Sequence, residues 1–383
     1  MKEFLNKLQG KQSIVVFGCG ERGRALYRQL KREYSQMELF LCDSSPKLQG
    51  NELLGEVVLS PDEAMRDSGH KLFLVSTPRA ANEIYQQLLD GGVKPENIVI
   101  EVPDELYALW HEERHQQKMT KHKTLRVEIN ITKHCNLNCK GCDHFAPLSG
   151  EDNMSLDSFK KDMQRLRELF GEKLIEIHIL GGEPLMHPEI DSFLEVSRSL
   201  FPKASILIDT NGTLLKRMPE TFWKHCRDWH IQLNVTPYPV AVDYDDLERM
   251  AAEKSVEYGY LQKVKPGGSH TLWKCPIDLE GKQDPMDSFL NCGNANRCIT
   301  LESGRLYTCS IAPNMYIFNQ FYGQDAIQLT DQDGIDIYQA KTAEEIFSYL
   351  AEPMPVCRFC DIRHRTFDHP WEVSKKDIKE WTL

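Results

Sequence analysis

Three strand-like runs, each ending in a turn suited to holding a ligand, constrain this chain more than any other feature. Leu125-Arg-Val-Glu-Ile-Asn-Ile131 leads into Cys135, Cys139 and Cys142. Leu174-Ile-Glu-Ile-His-Ile-Leu180 leads into Gly181-Gly182-Glu183-Pro184, and Ala204-Ser-Ile-Leu-Ile-Asp209 into Thr210-Asn211-Gly212. Helical stretches separate the runs. Behind Ser155 as N-cap, Phe159, Met163, Leu166 and Leu169 recur at helical spacing over Leu156–Phe170, and His187-Pro188 opens a second helix. A fourth strand over Trp229–Val235 and a helix over Asp243–Lys254 continue the alternation. Repeated strand–helix units predict a parallel sheet with right-handed crossovers. Chemistry on such a sheet gathers at the C-terminal ends of the strands, where all three motifs lie.

Closely spaced thiolates in a loop are soft ligands for zinc or an iron–sulfur cluster. A closed zinc site wants four ligands, whereas three on a four-iron cube leave one iron open. The C-x3-C-x2-C spacing, the Gly-Gly-Glu turn and the Thr-Asn-Gly turn, in this order, resemble the radical S-adenosylmethionine (SAM) superfamily. The resemblance implies a [4Fe-4S] cluster on Cys135, Cys139 and Cys142 whose open iron binds SAM. It implies SAM contacts from Gly181, Gly182, Glu183, Pro184, Thr210 and Asn211, with Glu183 accepting from the SAM ammonium. Many relatives carry an aromatic residue before the third cysteine to cover the adenine. Here Gly141 stands there, and Phe145 or another ring is expected to take its place.

The first hundred residues read as a separate α/β unit. The strand Ser13–Phe17 precedes Gly18-Cys-Gly20-Glu-Arg-Gly23 and a helix, and a second strand ends at Asp43. That is the dinucleotide-binding layout, with a tight turn, a helix N-terminus for a phosphate and an acid for a ribose hydroxyl. Gly18, Gly20, Gly23 and Asp43 are its candidate binding residues. Both a nucleotide or nucleotide-sugar ligand and a ligand-free docking scaffold are open, because a fold alone does not confer function.

A second set of cysteines occupies the C-terminal third. Cys298 and Cys309 bracket a predicted β-hairpin turning at Ser303-Gly304, and Cys357-Arg-Phe-Cys360 follows. These features resemble the auxiliary-cluster extension called SPASM, or its shorter form, twitch. The resemblance implies an auxiliary iron–sulfur cluster on Cys309, Cys357 and Cys360, with Cys298 favoured over Cys292 as fourth ligand because hairpin pairing brings it beside Cys309. A structural four-cysteine zinc is the rival, and Cys275 is undecided.

Composition bounds the rest. The chain has 383 residues, 41% of them hydrophobic, enough for more than one sizeable core. Twelve cysteines without an apolar leader or a long apolar run read as metal ligands in a cytoplasmic protein rather than as a disulfide framework. A net charge of −11 disfavours nucleic acid, and no membrane partner is expected. The expected fold class is α/β: a Rossmann-like parallel sheet over residues 1–103, a helical connector over 104–123, a partial (β/α)6 radical SAM barrel over 124–272 and a small cysteine-rich α+β auxiliary-cluster domain over 273–383.

The resemblance implies reductive SAM cleavage to a 5′-deoxyadenosyl radical, hydrogen abstraction from a substrate, and a flavodoxin- or ferredoxin-type electron donor. The N-terminal unit favours a sugar or nucleotide-sugar substrate undergoing dehydrogenation, epimerisation or dehydration. The alternatives are a SPASM-type peptide-modifying enzyme and a non-catalytic scaffold. Alcohol dehydrogenation needs a base, for which Asp143, His144, His187 and Tyr238 are the candidates.

Overall fold

The computed structural model describes residues 1–77, 80–120, 123–260, 271–323, 325 and 327–382. The chain divides into two compact units, Met1–Gln116 and Gln117–Leu383.

In the first unit the strands are β1 (Ser13–Phe17), β2 (Glu38–Cys42), the two-residue pair β3 (Glu52–Leu53) and β4 (Glu56–Val57), β5 (Lys71–Val75) and β6 (Ile98–Val99). The parallel sheet has the order β2-β1-β5-β6. Both of its faces are covered. Ile14 and Val16 pack with Leu26 and Leu30, while Val15 and Phe17 pack with Ala64, Ile84 and Leu88. Burial on both faces explains why β1 is a continuous apolar run rather than an alternating one. The helix Glu21–Glu33 starts at Gly20 directly after the glycine turn. A Cβ on Gly23 would lie 1.8 Å from the Gly18 carbonyl oxygen, so only glycine permits this closeness of helix and strand.

The second unit contains β7 (Leu125–Thr132), β8 (Leu174–Gly181), β9 (Ser205–Thr210), β10 (Ile231–Val235), β11 (Tyr258–Tyr260), β12 (Thr271–Lys274), β13 (Thr300–Glu302), β14 (Arg305–Tyr307), β15 (Ile335–Asp336) and β16 (Thr366–Pro370). Its main sheet has the order β11-β10-β9-β8-β7-β13-β14-β15. The neighbours from β11 to β13 pair in parallel; β14 and β15 are antiparallel additions. The mixed α/β class with parallel sheets is therefore present. The C-terminal third does not stand apart as a separate compact body, because the hairpin β13–β14 extends the same sheet beyond β7.

Alternation along the strands sorts the two faces of this sheet. Val127, Ile129, Ile177, Ile179, Ile206, Ile208, Leu233 and Val235 join the core with Phe159, Met163 and Leu166 of the helix Leu156–Phe170. Their neighbours Glu128, Asn130, His178, Asp209 and Asn234 point to the opposite, inner face. A further core, with Phe145, Tyr307, Met315, Phe318 and Trp381, joins the loop after β7 to the C-terminal segment. Among the described residues, no helix is long and apolar enough to cross a membrane.

Candidate functional site

The loop leaving β7 carries Cys135, Cys139 and Cys142, all partly exposed. Burial pushes the Cys135 thiol up to about 11, and the thiols of Cys139 and Cys142 are also raised, first by burial. Donors converge on the sulfurs. The Leu137 amide lies 3.5 Å from Cys135 Sγ, Asn211 Nδ2 3.8 Å from the same atom, and Trp371 Nε1 3.1 Å from Cys139 Sγ. The Tyr238 hydroxyl also donates to Cys139. Three thiols ringed by donors suit thiolates bound to a metal centre, because a metal deprotonates its thiols and the donors then offset the charge.

The glycine turn after β8 closes on this loop. The Gly182 amide donates to the Thr132 carbonyl at 2.9 Å and the Glu183 amide to that of His134 at 3.0 Å. A Cβ on Gly182 would meet the His134 oxygen at 2.0 Å. Glu183 is 1% exposed. Its carboxylate accepts from Thr210 Oγ1 at 2.6 Å, the Asn211 amide at 2.9 Å and the Leu185 amide at 3.1 Å. Burial raises its pKa to about 7 against those bonds. Glu183 thus ties the turns after β8 and β9 together and uses three of about four acceptor positions in doing so. Pro184 opens the one-turn helix that follows.

The five thiols of Cys275, Cys292, Cys309, Cys357 and Cys360 line one small cavity in the C-terminal third. Cys309 and Cys360 are pushed well above the ordinary thiol range, Cys309 first by burial and Cys360 first by its hydrogen bond with Cys275. Cys298 is not among the lining residues. Hairpin pairing begins only at Thr300↔Tyr307, and the preceding segment turns back, with the Cys298 amide donating to Asn294 at 2.9 Å. The Cys298 thiol consequently meets Glu128 on β7. The preference for Cys298 is corrected on this point: Cys292, at the end of the helix Pro285–Asn291, takes the place beside Cys309, and Cys275 joins it.

Asp143 connects the cysteine loop to the five-cysteine cavity, and Glu128 of the polar inner face meets Cys298. Asp143, next to Cys142, accepts from Asn294 Nδ2 at 3.5 Å, and Asn294 lines the five-cysteine cavity. Glu128 is held up to about 7, chiefly by burial, with the Cys298 thiol its hydrogen-bond partner. Farther along, His178 Nδ1 is 2.8 Å from Asp209 and Nε2 2.9 Å from Glu176. Burial opposes a charged ring there. The bonds to Asp209 and Glu176 outweigh it and raise His178 to about 10. Asn234 Nδ2 donates to the other Asp209 oxygen at 2.6 Å. The amide of Asn130 and Nε2 of His144 are buried without a hydrogen-bond partner among the described residues.

Of the four proposed bases, Asp143 and His144 lie at this face beside Cys142. Tyr238 instead serves the cysteine loop. His187 is 4% exposed and committed to structure: Nε2 lies 3.2 Å from the Met154 carbonyl, Nδ1 accepts from the Glu189 amide, and the ring packs on Phe193. It does not join Asp143 and His144. Phe145 is also withdrawn, 1% exposed against Phe318 and Trp381, whereas the rings of Tyr238 and Trp371 stand by Cys139. Residue types had not singled out Glu128 or His178. Their signal was present as the polar alternates within two apolar strand runs.

In the first unit, Asp43 turns inward. Its carboxylate accepts from the Cys19 amide at 2.7 Å and the Ser45 amide at 2.8 Å, so it braces the glycine turn of Gly18 and Gly20.

A family model described as the radical SAM superfamily matches residues 129–259. Among curated proteins, the chain is 31% identical over 98 residues to a GTP 3′,8-cyclase of Helicobacter pylori (strain HPAG1), covering 26% of this chain and 30% of that protein. It is 28% identical over 221 residues to a GTP 3′,8-cyclase of Campylobacter curvus (strain 525.92), covering 56% of this chain and 62% of that protein. In both cases the chain spans less than two thirds of the relative's length. Among solved structures, BtrN in complex with AdoMet and 2-DOIA aligns at a TM-score of 0.40 and 20% identity over 62% of this chain and 93% of that one. The AdoMet-bound anSMEcpe structure aligns at 0.38 and 15% identity, over 62% of this chain and 82% of that one.

Proposed function

We propose that residues 129–259, which match the radical SAM family model, act as a radical SAM domain, and that the chain oxidises a hydroxyl-bearing carbohydrate or nucleotide-linked sugar at the inner face of its sheet. The observation that carries this reading is Asp143, which lies beside Cys142 and accepts from Asn294 of the five-cysteine cavity, together with Glu128 bonded to Cys298. The curated relatives are named for GTP, a ribose-bearing nucleotide, in keeping with a sugar-bearing substrate.

Cys135, Cys139 and Cys142 would hold the family's [4Fe-4S] cluster, and Cys292, Cys309, Cys357 and Cys360 an auxiliary one, with Cys275 lining the same cavity and hydrogen-bonded to Cys360. When bound, the first cluster with SAM supplies hydrogen-atom abstraction from an unactivated C–H bond, and the second supplies an electron acceptor. The residues do the rest. Glu128, held near neutrality, takes the hydroxyl proton as the alcohol carbon is oxidised. The His178 imidazolium, fixed between Glu176 and Asp209, offers a positive wall that orients substrate hydroxyls. Asn130 and His144 gain the hydrogen bonds they lack when substrate arrives. Loss of a hydrogen atom from carbon, a proton from oxygen and one electron leaves a ketone.

The test is anaerobic reconstitution with iron, sulfide and zinc counts, followed by 5′-deoxyadenosine assays with nucleotide sugars, free sugars and peptides. About eight irons per chain and substrate-dependent 5′-deoxyadenosine with a sugar support the proposal. A zinc in place of the second cluster would remove the electron acceptor, and turnover of peptides alone would overturn the substrate class.

A further inference from the structure

The C-terminal segment folds over the three-cysteine loop and pairs with its backbone. Cys139 and Val373 form an antiparallel bridge, the Lys140 amide donates to Glu372 at 2.8 Å, and the Ser374 amide to Asn138 at 2.8 Å. Beyond it, Trp381 Nε1 donates to the Cys142 carbonyl at 2.8 Å. Buried Glu380 holds the turn between these contacts, accepting from Ser374 Oγ and the Lys375 amide. At the start of the segment, the indole of Trp371 reaches Cys139 Sγ at 3.1 Å.

We propose that this segment is a strap that sets the reduction potential of the cluster on Cys135, Cys139 and Cys142, through the hydrogen bond from the Trp371 indole to the Cys139 sulfur. The inference rests on the reading of those three cysteines as cluster ligands. An indole N–H is a donor with no acceptor capacity, and here its partner is a sulfur rather than water or a carbonyl. A donor to a ligand sulfur strengthens as the cluster gains an electron, because charge-assisted bonds are the strong ones. The reduced form is favoured and the potential rises. The backbone bridges fix the register, so the indole arrives at Cys139 and not at its neighbours. The same strap continues to the second site. The Ile277 amide donates to the Trp381 carbonyl at 2.7 Å, and Ile277 is bridged to Cys360.

The test uses the full-length reconstituted chain labelled with 15N at the tryptophan indoles, with dithionite supplying the electron. In the wild type, pulsed EPR of the reduced signal that changes on adding SAM should show a 15N coupling. Trp371→Phe should lose it and Trp381→Phe keep it. Potentiometric titration of Trp371→Phe should lower the reduced-to-oxidised ratio at fixed potential by about tenfold, equivalent to ~59 mV for one electron. A wild-type cluster without indole coupling, or equal ratios in wild type and Trp371→Phe, overturns the role of Trp371 alone. Should Trp371→Phe retain no iron, the wild-type coupling decides. A wild type that binds no SAM-responsive cluster overturns both this inference and the reading on which it rests.

Discussion

The two groups of cysteines in the second unit are built in opposite ways. Cys135, Cys139 and Cys142 come from one loop behind one strand, so their mutual geometry follows from a short stretch of backbone. Cys275, Cys292, Cys309, Cys357 and Cys360 come from a helix end, a hairpin and two distant turns. The first group needs its neighbours only for finishing, namely the Glu183 clasp, Tyr238 and the Trp371 donor. The second exists only because the sheet, the hairpin and the C-terminal turns pack correctly. A local site tolerates distant changes, whereas an assembled one reports on the whole unit.

The largest effect should come from the local site. Cys142→Ala is expected to abolish 5′-deoxyadenosine formation while leaving the iron of the assembled site in place; loss of all iron would show that the two sites are not independent. Next, Cys292→Ser should lose the second cluster and Cys298→Ser retain it, as read by iron counts and EPR. The reverse result would restore the hairpin pairing of Cys298 with Cys309.

Glu128→Gln should cut substrate oxidation by about a hundredfold or more while SAM cleavage continues without coupling to it. Because the group must be deprotonated to act as a base, the wild-type rate should climb as pH rises through about 7, and a flat profile would remove Glu128 from that role.

His178 links the inner face to stability. Its pKa is raised from 6.5 to about 10, so its contribution is fully present below pH 6.5 and is lost as pH rises through about 10. Denaturant titrations should show that decline in the wild type. In His178→Ala the slope should vanish and stability fall by roughly 3 kcal/mol, because two carboxylates lose their partner. The smallest effect is expected at Ser155, whose hydroxyl accepts from the Ser158 amide at 3.2 Å to cap the helix Leu156–Phe170. Ser155→Ala should cost about 1 kcal/mol by the same titration, without altering iron content.

Much of this was readable in the chain. The strands β7 to β10 are marked by apolar runs, and the first three lead into the cysteine loop, the Gly181-Gly182 turn and the Asn211-Gly212 turn. The misreadings share a cause. Cys298 was matched to Cys309 by extending an ideal hairpin two residues beyond where pairing stops. His187 looked available because nothing in its neighbourhood announced Met154 and Phe193. Asp43 stands where a ribose-binding acid is expected, and its bonds from the Cys19 and Ser45 amides, which brace the glycine turn, are set by the fold rather than by spacing. Glu128 and His178 were overlooked because one polar residue in an apolar strand is informative only once the inner face is known.

The alternation of strands and helices, the loop carrying Cys135, Cys139 and Cys142, and the glycine and asparagine turns that meet it are all written in the order of residues along the chain. Each of these depends on residues within a few positions of one another, where spacing along the chain is already geometry. That Cys275 and Cys292 line one cavity with Cys309, Cys357 and Cys360, that Glu128 meets Cys298, and that Trp371 arrives at Cys139 follow from the folded chain alone. Those contacts join segments far apart in the chain, and their register is set by strand pairing and core packing, which no local spacing records.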